Sequence, residues 1–498
     1  MEPKQPLTLH AYQQRDIDTL LTKLGGTARR VVYQLPTGGG KTIVFSEIAR
    51  QFIARFGRGV MVLTHRTELC RQTSKTLKRL GVANEIVDSR TKNDPADCDC
   101  RVAMVETLRN RVKSGKVKLA GIGLVIIDEA HHNSFRKLLK HFKGAAVIGV
   151  TATPFSADVT RPMNRYYDAI VVGEPIQSLI DQKFLAKPKP MAFPVELNSL
   201  KTGIHGDYTV SSSNELYGSP AMIELLLRAY HEQIKGKKTL IFNAGIDASV
   251  KVCAAFEAAG VAVKHLDNKA TDAERKEILK WFRRTKGAVL TSVSILTTGF
   301  DEPSIRAVVL NRATTSITLY HQMCGRGSRR LSDKKTFQII DLGNNIDRFG
   351  PWEAPVDWTF VFEHPAAFAQ QLHYAGTSRA SHAIAASVRA LFPHTLEMAF
   401  DVESHYHEAI EHDRKAKTVI SQSVRQHAIM CLENADSVSH ALQLADALGP
   451  EIDWRVREYV RCIGNASKSY KLWLSENYRT TLQTMIRKLH ARTFKQAS

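Results

Sequence analysis

Between residues 29 and 153, five short apolar runs rich in β-branched residues alternate with helix-forming stretches, and the same rhythm begins again at residue 239. The first set covers 31–35, 59–63, 102–105, 124–127 and 145–150; the second covers 239–243, 261–266, 288–292, 307–311 and 337–341. Such runs, lacking a polar alternate position, suit strands buried on both faces, the condition of a parallel sheet covered by helices. The pattern therefore predicts two α/β domains in tandem. A length of 498 residues accommodates both, since single cores stop growing well short of it.

Lys187-Pro188-Lys189-Pro190 and the polar 197–220 stretch, with Gly203, Gly206, Gly218 and serines 211 to 213, read as the connector. Beyond Trp358 the strand signals give way to helical patterns at 380–391, 418–431 and 437–448. The expected division is 1–185, a first domain; 186–220, a connector; 221–357, a second domain; and 358–498, a basic, mainly helical accessory domain. Residues 455–498 hold ten Lys/Arg against Glu458 and Glu476, with Trp454, Tyr459, Tyr470, Trp473 and Tyr478 nearby. That mixture suits a chain of phosphates and bases, and equally a solvated basic face over an aromatic core.

Chemistry enters at Leu35-Pro36-Thr37-Gly38-Gly39-Gly40-Lys41-Thr42, which follows the first strand and opens a helical run, 43–56. Glycines there let successive backbone N–H groups wrap a phosphate at a helix N-terminus. Thr37, Gly38, Gly39 and Gly40 form the cradle, Lys41 reaches the outer phosphates, and the Thr42 hydroxyl is a ligand for Mg2+. Asp128-Glu129-Ala130-His131 comes directly after the 124–127 strand, so its carboxylates stand at the carboxyl edge of the sheet. Asp128 is expected to hold Mg2+, and Glu129 to orient or deprotonate the attacking water. ATP is the expected substrate.

In the second domain, Gln322-Met323-Cys324-Gly325-Arg326-Gly327-Ser328-Arg329 spaces Gln322, Arg326 and Arg329 so that a continuous helix would put them on one face. Guanidinium groups clamp the charge that spreads over a transferring phosphoryl group. With lysine and acids on one domain and arginines on the other, hydrolysis requires the two to close.

These segments resemble the helicases of superfamily 2, and within them the DEAH-box branch, over residues 7–355. Leu9-His10-Ala11-Tyr12-Gln13 resembles the element that reads adenine, with His10 and Ala11 in place of its usual residues; the resemblance gives Gln13 to the base and His131 to the nucleotide site. Thr151-Ala152-Thr153-Pro154 resembles motif III, and Thr239-Leu240-Ile241-Phe242 motif IV. Leu296-Thr297-Thr298-Gly299-Phe300-Asp301 resembles motif V, with Gly299 and Asp301 toward the nucleotide and Thr298 toward a strand backbone. Thr64 and Arg66 in the 64–69 segment, and Thr107 in 105–108, fall where motifs Ia and Ib touch phosphates. Gly206-Asp207-Tyr208, and Ile340-Asp341-Leu342-Gly343-Asn344 followed by Phe349-Gly350-Pro351, resemble the RadD-like subgroup of bacterial and phage DNA helicases.

The resemblance implies an α/β fold of two tandem RecA-like parallel-sheet domains plus the helical domain, with ATP and Mg2+ as nucleotide and metal. It implies single-stranded or branched duplex DNA as substrate, in repair, recombination or replication, and a replication or repair protein as a further partner. RNA is the alternative polymer, and the motor subunit of a restriction or defence complex the alternative role. A formal charge of +20 favours such a polyanion without selecting one. Seven cysteines, an odd number, suit a reducing compartment, and Cys98-Asp99-Cys100 lacks a second ligand pair at zinc spacing. With no apolar run of about 18 residues and no signal-like N-terminus, the chain is expected in the cytoplasm, at the nucleoid, and off the membrane.

Overall fold

The computed structural model describes residues 9–88, 91, 98–117, 119–156, 161–203, 206–293, 296, 300–378, 386–395, 398, 400–411, 414–464 and 467–496. The chain divides into two compact units, 1–376 and 377–498. The first holds two parallel sheets of the RecA-like kind.

The first sheet is built from β1 (Arg30–Gln34), β2 (Gly59–Thr64), β3 (Asn84–Val87), β4 (Cys100–Met104), β5 (Ile122–Asp128), β6 (Ala146–Thr151) and β7 (Ala169–Val172), in the order β3-β4-β2-β5-β6-β1-β7. The second takes β8 (Lys187–Ala192), β9 (Thr239–Asn243), β10 (Val263–Leu266), β11 (Val289–Ser292), β12 (Ala307–Asn311) and β13 (Thr336–Asp341), in the order β10-β11-β9-β12-β13-β8. Every residue of β5 is buried. Leu124 and Ile126 join the core on one face of the sheet, while Val125 and Ile127 join that on the other. An unbroken apolar run is thus what the position demands. Strands β3 and β7 escaped the sequence reading because each is a four-residue edge strand, too short and too mixed to stand out.

Two domain limits shift. The prolines at 188 and 190, read as connector, lie in β8, which pairs with β13 through Pro188↔Phe337 and Pro190↔Ile339. As an edge strand it has one neighbour, so the missing N–H groups cost no ladder bond on the open side. The rest of the expected connector supplies the helix Val210–Tyr217, capped by the Thr209 hydroxyl. At the other end, Trp358–Glu363 and Pro365–Ser378 are helices of the first unit: Trp358, Val361 and Phe368 form a small core with Ile317, against which Phe155 packs.

The second unit is helical: Ala386–Arg389, Val402–Glu411, Lys417–Glu433, Val438–Ala447, Gly449–Ile463 and Lys468–Gln496. Of the three helical patterns expected there, residues 380–385 lie outside the described residues. Its core includes Arg455, wholly buried, which donates to Glu451 (2.9 Å), Gln426 (2.8 Å), Ser423 (3.1 Å) and the Met398 carbonyl (3.0 Å). A buried guanidinium persists only with its donors engaged in this way.

Candidate active site

The turn after β1 is set by the chain's own grammar. Gly38 and Gly40 take φ of 98° and 88°, values that side-chain-bearing residues rarely adopt, and Gly40 caps the helix Lys41–Phe56. The hydroxyl of Tyr12 and the amide of Gln13 donate to the Gly39 carbonyl at 2.8 and 3.3 Å, so the helix Ala11–Gly25 pins the loop from outside. Lys41 Nζ donates to the Leu35 carbonyl at 3.1 Å. Burial depresses the Lys41 pKa, and Glu129 and Asp128 oppose that.

Both acids leave the end of β5. Burial raises the Asp128 pKa, Glu129 raises it further, and Lys41 counteracts. Glu129 sits at φ 53°, a left-handed backbone that a non-glycine residue holds only under constraint, at a cost on the order of 1–3 kcal/mol. Its Oε2 is buried with no hydrogen-bond partner among the described residues. Oε2 lies 3.4 Å from His131 Nδ1, but burial holds His131 well below the usual histidine pKa and hence neutral. The contact is no ion pair; Nδ1 is engaged by the Thr151 hydroxyl at 2.9 Å.

Opposite stands the second lobe. The helix Ile317–Cys324 ends before the arginines, so Gln322, Arg326 and Arg329 do not share one helical face; the two arginines project from the turn that follows and from a bridge between Arg329 and Leu185. Arg329 donates to Asp301 at 2.9 Å, and Arg326 to the Phe300 carbonyl. Burial first, then neighbouring Arg329, pulls the Arg326 pKa down to about 10, and its Nε has no partner among the described residues. The lobes meet closely: a Cβ on Gly38 would fall 3.1 Å from Arg329, and a Cβ on Gly325 only 2.7 Å from that of Thr37.

Thr37, Gly38, Gly39, Gly40, Lys41, Thr42, Asp128 and Glu129 from one lobe and Asp301, Arg326 and Arg329 from the other thus line one cavity of about 430 Å³. That is the range of small-ligand sites. Gln13 lines it too, yet its amide is taken up by the Gly39 carbonyl and the His10 N–H. The mouth carries instead an aromatic pair that the sequence reading missed, His10 and Phe184, with centroids 4.2 Å apart. These residues are remote in sequence, and no local signal joins them. The Glu129 oxygen and the Arg326 Nε, both without a partner among the described residues, and the Thr42 and Asp128 oxygens fit a Mg2+–nucleotide.

Two expected site residues stand behind the cavity rather than in it. His131 and Gln322 face each other across the lobes at 3.5 Å, and nearby the Thr153 hydroxyl donates to Thr318 at 3.0 Å. Rings of His131, His132 and His65 continue in a row, with centroids 4.2 and 4.9 Å apart. His65 and Arg66 open onto a second interlobe cleft of about 530 Å³, spanned by the pair Arg275 to Glu68 at 3.1 Å. Thr64 does not reach it: fully buried, its hydroxyl is taken by Cys70 and the Arg66 carbonyl. Thr107 is partly buried on the first turn of the helix Val105–Lys113 and lines neither cavity. Thr298 and Gly299 lie outside the described residues.

Residues 6–156 match the family described as the type III restriction enzyme, res subunit, and residues 221–330 match the helicase conserved C-terminal domain. A Saccharomyces cerevisiae protein designated IRC3, an ATP-dependent helicase by name, is 32% identical over 67% of this chain and 51% of its own length. A 51.5 kDa protein of a Lactococcus phage is 29% identical over 66% of this chain and 69% of its own. The endonuclease subunit of the type I restriction enzyme EcoAI of Escherichia coli is 25% identical over 68% and 46%. This chain spans about half the length of the yeast protein. Among solved structures, an HsdR-subunit fragment of a type I restriction enzyme from Vibrio vulnificus shares the fold, with a TM-score of 0.56, 23% identity and coverage of 70% of this chain and 67% of that one. These matches support superfamily 2 and do not single out the DEAH-box branch or the RadD-like subgroup. No helix among the described residues is long and apolar enough to cross a membrane.

Proposed function

Because the first unit carries the paired helicase domains of superfamily 2, a nucleic-acid-dependent ATPase architecture, we propose that this chain is a DNA-directed motor. It hydrolyses ATP between its two lobes to unwind or remodel single-stranded or branched DNA in repair, recombination or replication. The observation that carries the reading is one cavity shared by Lys41, Asp128 and Glu129 from one lobe and Arg326 and Arg329 from the other.

In this reading the triphosphate lies over the N-terminus of Lys41–Phe56, where backbone N–H groups and Lys41 hold its oxygens. Thr42 and Asp128 would hold Mg2+, which neutralises phosphate charge. Glu129, with its buried unpaired oxygen, takes the proton from the attacking water. Arg326 and Arg329 meet the charge that builds on the departing phosphate. Arg66 and the second cleft contact the DNA backbone; the sequence resemblance gives Thr107 and Thr298 the same role. The RadD-like details of the sequence agree with a DNA substrate.

A second reading, the motor of a restriction or defence complex with a separate nuclease, draws support from the EcoAI relative. ATPase rates with single-stranded, duplex, forked and four-way DNA and with matched RNA decide the matter. DNA stimulation that Lys41→Ala abolishes is the expected result. No stimulation by any DNA, with Lys41→Ala equal to wild type, overturns the motor; copurification of a nuclease with no unwinding by the lone chain favours the second reading.

A further inference from the structure

The second unit sorts the basic, aromatic 455–498 segment into two populations. Tyr459 and Tyr478 are core residues, Arg455 is buried, and Arg461 and Arg479 are paired with Glu403 and Asp453 at 2.6 and 2.7 Å. The helix Lys468–Gln496 turns Leu474, Tyr478, Leu482 and Ile486, four residues apart, into the core. Its outer side holds Trp473 and Tyr470, 55% and 37% exposed, their rings stacked at 5.7 Å with an interplanar angle of 27°.

At 3.6 residues per turn, Tyr470, Trp473, Asn477, Thr480, Arg487 and Lys488 fall within about 100° of arc. All six are exposed. The basic pair stands 14 residues beyond the tryptophan, or roughly 21 Å along the axis. The helix carries seven Lys/Arg and a single acid, Glu476. Glu476 falls at the edge of this face. Stacked rings at one end and, at the other, cations with no partner among the described residues, with small polar residues between, are the two elements of a surface that binds a flexible polyanion bearing flat bases. A protein partner would be met by a contiguous apolar patch, which this row is not.

We propose that this face of Lys468–Gln496 is a second binding site for single-stranded DNA, separate from the interlobe cleft: a base stacks on Trp473 while Arg487 and Lys488 take the backbone. The polymer class follows from the proposed function; the site itself can be tested without ATP. The probe is a fluorescein-labelled oligothymidylate, titrated into the full chain by anisotropy at several salt concentrations without nucleotide. Trp473→Ala should weaken binding about tenfold, and Trp473→Phe, which keeps a ring, should recover most of it. Arg487→Gln with Lys488→Gln should make the salt slope shallower by about 1.4. All these variants should retain the wild-type circular dichroism and the ATPase rate at saturating DNA.

Wild-type affinity and slope in both the tryptophan and the double variant overturn the proposal. So does tight binding of oligouridylate with none of oligothymidylate, or a wild-type dimer that the variants dissolve, since the face would then be a contact between copies. A motor reading that fails leaves these binding results standing, because they need no hydrolysis.

Discussion

His132 lies between two rings that belong to different business: His65 at the rim of the second cleft and His131 behind Glu129. Burial lowers the pKa of all three, His65 to about 4, so the row is a contact of neutral rings. In the proposed motor, a strand at His65 and Arg66 would have in this row a packed path to His131, beside Glu129, and on to Gln322. His132→Ala is expected to keep the unstimulated ATPase and DNA affinity within about twofold while cutting DNA stimulation about tenfold, a coupling of typical size. Parallel ATPase and binding titrations check it. Lys334, 1% exposed, gives a pH signature. Burial, then Arg306 and Arg329, pulls its pKa down to about 7. Between that value and a free lysine's, about 10.4, the unfolded chain binds the extra proton, so stability rises with pH and the penalty is complete below about 7. Lys334→Met should therefore raise Tm most near pH 6.5, with the gain shrinking toward pH 10 in thermal melts. Lys41, Asp128 and Glu129 were legible from the sequence because a strand, a glycine turn and a helix place them locally. The histidine row and the His10–Phe184 pair were not, because their partners come from distant segments.

The loop from Arg312 to Ser316 shows how one element aims another. Asp207 accepts from the Thr315 N–H at 2.9 Å and the Thr314 hydroxyl at 2.8 Å, and faces Arg312 at 3.5 Å. Ser316 then caps the helix that carries Gln322. Loss of Asp207 would strand a buried guanidinium and free this launch point. With Asp207 about one-third exposed, Asp207→Ala should cost about 2 kcal/mol in urea unfolding and lower the ATPase kcat, with Asp207→Asn milder on both counts. The Gly206-Asp207-Tyr208 segment had read as irregular connector, since nothing within it reveals a partner 107 residues away. The central strands were plain for the opposite reason: burial on both faces writes itself as an unbroken apolar run, as in β5. Edge strands β3, β7 and β8 carry no such requirement, and they are the ones composition hid.

At the scale of the molecule, the first unit continues past the last strand to Gly376. Trp358, Val361 and Phe368 complete its surface against Ile317. A chain cut after residue 376 should melt with the first unit's transition intact, whereas one cut after 357 should melt several degrees lower, because it bares that apolar seat. Differential scanning calorimetry of the two truncations and the full chain reads this directly. The boundary at 357 had followed the end of strand signals, a local cue, whereas the unit's limit is set by what its last helices cover. The approach of Gly325 to Thr37 leaves no room for so much as a methyl group. Gly325→Ala would act as a molecular shim, propping the jaws ajar by roughly 1 Å to restore ordinary carbon–carbon contact while removing none of the reactive groups, so that the chemistry of those groups could be separated from the shutting of the chamber.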